Sequence, residues 1–90
     1  MENRAIYEVP GQQPIRPTCL VPFASGWTPP TAGEIHAIIN KTGLSGSEVA
    51  RLVGVSGGRT VRRWTGGEVE IPYAVWAMLC EQAGYGRIWK

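Results

Sequence analysis

Aspartate is absent from this 90-residue chain, and histidine occurs once, as His36. Acid–base and nucleophilic catalysis draw on paired carboxylates, or on a histidine with an acidic partner and a nucleophile. A lone histidine within an amphipathic helical stretch supplies neither, so no enzymatic activity is expected. The stretch Gly54, Val55, Ser56, Gly57, Gly58 matches G-x-S-x-G, but that motif works between a strand and a helix of a large sheet, with acid and histidine partners that are missing here. The two cysteines, Cys19 and Cys80, form no CxxC pair, and with His36 they lack the spacing of a zinc site. No metal, cofactor or small-molecule ligand is expected. The cysteines read as free thiols in a reducing cytoplasm rather than as a secreted disulfide framework. Long apolar runs are lacking too, since none approaches the roughly eighteen residues of a membrane span. Residues 1 to 7 carry Glu2 and Arg4, unlike the apolar core of a signal peptide. The expectation is a cytoplasmic protein with one small core.

The overall charge is a modest +2, which decides little by itself. Its distribution says more. No acidic residue lies between positions 49 and 67, and Arg51, Arg59, Arg62 and Arg63 all fall there, so the mild total conceals a basic patch of the kind that meets phosphates.

Six of the seven prolines, Pro10, Pro14, Pro17, Pro22, Pro29 and Pro30, lie in the first thirty residues, where fixed φ and missing N–H groups forbid a continuous helix. Residues 1 to 30 therefore read as an extended arm. Ile15, Leu20, Val21, Phe23 and Trp27 are too apolar to stand in water without a partner surface, which places the arm along the helical body or along a second subunit. Arg4 and Arg16 on it leave two readings open, a reach into a minor groove or plain solvation.

Beyond residue 30 the period changes to 3.6. Ile35, Ile38, Ile39 and Thr42 share a helical face, opened by a Thr31–Glu34 capping box and closed by Gly43. The signature repeats at once with Ser45 and Glu48 before Val49, Leu52 and Val53, ending at Gly54. A third helix is expected at about residues 58 to 65 with Val61 and Trp64 inward, stopped by Gly66 and Gly67. A fourth starts with Pro72 as its first residue and runs with Val75, Met78 and Leu79 on its inner face to Gly84. Trp76 falls outside that stripe, which leaves partial burial and a subunit contact equally open. The tail, residues 85 to 90, carries Tyr85, Ile88 and Trp89, expected to pack on the arm or on a partner chain. The fold class is all-α, with a compact four- or five-helix domain over residues 31 to 84.

Two short helices joined by a tight turn need a small residue where they cross, a glycine where the chain reverses and apolar residues facing inward on both sides. Ala50, Gly54, Val55, Val61 and Trp64 meet those needs. The run LSGSEVARLVGVSGGRTVRRWTGG resembles the helix-turn-helix of lambda-repressor-like (Cro/XRE-type) regulators, particularly small ones carried on conjugative plasmids and other mobile elements. Ser45, Glu48, Ala50, Gly54, Val55, Ser56, Val61 and Trp64 carry the likeness, while the stretch from Ser56 to Val61 holds one residue more than the usual pattern. The resemblance implies a homodimeric transcriptional repressor on an inverted-repeat operator in double-stranded DNA, with the third helix in the major groove. Arg59 and Arg63, four apart on one face, would read bases through bidentate contacts to guanine. Ser45, Ser56, Gly57, Gly58, Thr60 and Arg62 would meet the DNA backbone, the glycines by letting main chain come close. The rival expectation is a protein-binding module of a mobile element, antitoxin-like or an inhibitor of a defence complex, built on the same fold.

Overall fold

The structure is a computed structural model and describes residues 14–90. Arg4 and the rest of the first thirteen positions lie outside the described residues. Among those described there are four α-helices and no strand: α1 (Ala32–Thr42), α2 (Gly46–Val53), α3 (Gly58–Thr65) and α4 (Tyr73–Gln82).

Local chemistry sets the first two helices. Thr31 Oγ1 accepts the Glu34 amide at 3.1 Å and Glu34 Oε1 accepts the Thr31 amide at 2.7 Å, a complete capping box, and Gly43 closes α1 at φ 74°. Ser45 and Glu48 repeat the arrangement at α2, and Gly54 closes it at φ 83°. A positive φ costs a residue with Cβ about 1–2 kcal/mol, so both glycines are conformational requirements. Ile35, Ile38 and Ile39 of α1, Val49 and Ala50 of α2, and Val61 and Trp64 of α3 enter one core with Ile71, Leu79 and Cys80. Ala50 keeps 2% of its surface. Replacing Ala50 with leucine is expected to lower unfolding free energy by about 1–3 kcal/mol through overpacking. Urea denaturation measures this, and an unchanged midpoint would reject the packing described here.

From residue 14 onward the proline-rich segment lies along the helical body. It makes two short 3₁₀ turns, Pro17–Cys19 and Phe23–Ser25, and it buries Cys19 completely. Phe23, Trp27 and Tyr73 meet edge-on or tilted at centroid distances of 5.0 to 6.0 Å, and the Tyr73 hydroxyl donates to the Val21 carbonyl at 3.0 Å. The Cys19 carbonyl accepts from both Trp27 Nε1 (3.1 Å) and Trp76 Nε1 (2.7 Å). Burial pushes both thiols up, Cys80 to about 12, so neither forms a thiolate readily.

Arg16 is tied into the fold while keeping 47% of its side-chain surface. Its side chain forms a two-pronged pair with Glu34, from Nε to Oε2 and from Nη2 to Oε1, each at 2.9 Å, and its amide adds a third bond to Oε2 at 3.0 Å. Glu34 is 1% exposed. Burial alone pushes its carboxyl up, but the Arg16 side chain and the Arg16 and Thr31 amides together outweigh that and hold it at about 2. The capping residue of α1 thus also anchors the segment before it.

The orientation of α4 departs from the stripe expected from sequence. Trp76, Ala77, Leu79 and Cys80 face the core, Val75 is half-buried, and Met78 is exposed. Eight successive residues from Tyr73 to Cys80 carry no charge, so no polar face marks the outward side, and the side that packs on α1 and the covering arm is the buried one. The helix boundaries differ by a residue or two, with Pro72 as N-cap and Ala83 as C-cap. In the tail Ile88 is buried, while Tyr85 and Trp89 remain partly exposed.

Candidate nucleic-acid interface

The turn between α2 and α3 comprises residues 54 to 57. Gly54 and Val55 both donate backbone N–H groups to the Ala50 carbonyl, at 2.9 and 3.0 Å, which ends α2 and turns Val55 toward the core. Gly57, at the N-cap position of α3, has φ 172° and ψ −177° and is fully extended. That conformation needs no glycine, and a methyl placed on Gly57 would meet nothing within 4 Å. The fold leaves this residue's small size unexplained.

The first turns of α2 and α3 lie against each other. A Cβ built on Gly46 would sit 4.0 Å from the Gly58 Cα. One built on Gly58 would sit 3.5 Å from Arg62 Nη1 and 3.6 Å from both the amide nitrogen and the hydroxyl of Ser47. A guanidinium, a hydroxyl and a main-chain N–H therefore converge around one point at two helix N-termini. The first N–H groups of any α-helix lack intrahelical partners, and α3 has no side-chain cap.

Along α3, Val61 and Trp64 are buried while Arg59, Arg62 and Arg63 are exposed. The three arginines line one polar depression together with Glu68. Arg63 Nε lies 3.8 Å from Glu68 Oε1. Thr60 is half-buried, with its hydroxyl 3.4 Å from that of exposed Ser56. Ser45 is exposed, and its oxygen already accepts the Glu48 amide, leaving its hydroxyl proton for an outside acceptor. The bond from the Ser45 amide holds the Glu48 carboxyl below the usual range, so its negative charge is tied to the α2 N-terminus, where it is favourable. Arg51 is exposed in the last turn of α2.

Structure thus brings together seven of the eight residues singled out from sequence around the α3 face and the turn, with Ser45 at the neighbouring α2 start. It adds Ser47 and Glu68. Ser47 is signalled only by its place two residues after an N-cap. Glu68 is separated from the arginines by Gly66 and Gly67, and nothing in the spacing marks its return. Among the described residues no group of three or more His, Cys, Asp or Glu side chains is placed to hold a metal ion, and no helix is long and apolar enough to cross a membrane.

No protein-family model and no solved structure matches the chain. Two curated relatives do, each named transcriptional repressor protein KorC, from Escherichia coli. One is 50% identical over 78 residues and the other 45% over 78, in both cases covering 84% of this chain and 91% of the relative. Identity at this level over most of both chains places the protein in the KorC family of transcriptional repressors.

Proposed function

We propose that the chain represses transcription by binding double-stranded DNA as a homodimer, through a helix-turn-helix of the lambda-repressor-like type formed by α2 and α3. The observation that carries this is the two-sided character of α3. Val61 and Trp64 fix one side in the core, and three arginines share the opposite side, as a helix presented to a major groove requires. Arg59 and Arg63 take guanine edges. Arg62, whose guanidinium lies over the start of α3 beside Ser47, takes a phosphate, with Ser45, Ser56, Thr60 and the main chain at Gly57 and Gly58 completing the backbone contacts. The apolar groove lined by Tyr73, Ala74, Ala77, Met78 and Trp89 supports a second subunit, since one eight-residue helix spans too few base pairs for tight binding alone. The body formed by residues 31 to 84 is the reading unit, the arm and tail bracing it.

Selection of full-length protein on a randomised duplex library tests this reading. The expected product is an inverted repeat with half-sites roughly 34 Å, or a multiple of it, apart, bound by a dimer in sedimentation. No enrichment, or binding by a strict monomer, contradicts it. Gly57 supplies a sharper check. Gly57→Ala should change stability by less than about 1 kcal/mol, because the added methyl has room, yet weaken binding to the selected duplex by about 1 kcal/mol or more as main chain is held off a phosphate. Unchanged affinity would remove the close approach.

A further inference from the structure

Glu68 is the one acidic side chain in the arginine-lined depression beside α3. The chain holds it there with care. After α3, Gly67 takes φ 78°, and the reversed chain donates two N–H groups, from Glu68 at 2.9 Å and from Val69 at 3.3 Å, to the carbonyl of Arg63 itself. The backbone of Glu68 is thereby pinned to the residue whose Nε its carboxylate faces at 3.8 Å. These bonds, with that of the Gly67 N–H to the Trp64 carbonyl at 3.1 Å, cap the C-terminus of α3; the side-chain pair itself adds little stability, since both side chains are more than half exposed.

We propose that Glu68 is a specificity-determining residue that positions Arg63, resting on the reading of α3 as the DNA-reading helix. Its carboxylate engages the Nε side of the guanidinium and leaves the two Nη groups forward, the pair that fits guanine O6 and N7. On duplex without the matching guanine, Arg63 must leave Glu68 to neutralise a phosphate, and the carboxylate itself repels phosphates that come near. Glu68 thus weakens indiscriminate binding while orienting the arginine for the correct base.

The test compares parent and Glu68→Gln on two probes, the duplex recovered by selection and a random-sequence duplex of equal length. Glu68→Gln should bind the random duplex about two- to fivefold more tightly, with a salt dependence steeper by about one phosphate contact. Its affinity for the selected duplex should stay equal or fall, so the ratio between the probes shrinks. In an Arg63→Ala background the substitution should lose most of its effect on that ratio, which a purely structural role for Glu68 would not produce. If Glu68→Gln leaves the ratio and the salt slope unchanged, or acts equally with and without Arg63, the positioning role is overturned while DNA reading by α3 stands. If the parent binds neither probe, both readings fail together.

Discussion

Arg16→Ala is expected to destabilise the protein by about 3–5 kcal/mol, the cost of leaving a buried charge without its partner. That is a large share of the total for a domain of this size. Glu34 is 1% exposed and receives Arg16 through Nε, Nη2 and the amide. Arg16 keeps 47% of its side-chain surface, so Glu34→Gln should cost less, because the freed guanidinium can turn to water while glutamine still caps α1. The pH dependence gives the sharper signature. Folding lowers the Glu34 carboxyl from 4.5 to about 2, so its contribution is complete above pH 4.5 and fades as pH falls toward 2. The difference corresponds to about 3 kcal/mol. In Arg16→Ala the guanidinium is gone while the Arg16 and Thr31 amides still bond the carboxylate, so the variant should lose less stability than the parent as the pH falls. Urea titrations between pH 3 and 7 on both proteins read this directly, and parallel profiles would reject the pair as the anchor of the arm.

The double variant Arg59→Ala, Arg63→Ala is expected to lose selected-duplex binding by about 2–6 kcal/mol, from roughly 1–3 kcal/mol at each guanine contact. Binding to random duplex should fall far less. Arg62→Ala should behave differently, weakening both probes alike and reducing the salt slope by about one, since Arg62 Nη1 lies over the start of α3. Competition gel shifts with both probes separate the two patterns. Uniform loss for all three arginines would leave phosphate attraction without base reading.

The bounds of α1, α2 and α3 are legible in the sequence because their determinants are local: two capping boxes, a glycine at each turn, and a run in which only Val61 and Trp64 are apolar among arginines. The phase of α4 is not legible. An uncharged stretch from Tyr73 to Cys80 has no polar side, and Trp76 points inward because the Cys19 carbonyl, 57 residues away in sequence, accepts its indole N–H. The Arg16–Glu34 pair is hidden for the same reason: Glu34 has a sufficient local role as a cap, and a partner 18 residues earlier, in a proline-rich segment, leaves no periodic trace. At the interface the arginines announce themselves by composition. Ser47 and Glu68 join them only through tertiary geometry, one by the contact of two helix N-termini and the other by the chain reversal at Gly67.

Amide chemical-shift mapping of the full chain with the duplex recovered by selection shows whether α2 and α3 meet DNA. The largest changes are expected at residues 45 to 47 and 56 to 63, where the α2 and α3 N-termini and the arginine face come together. Silence at those amides under saturating duplex, with binding still observed, would contradict that contact.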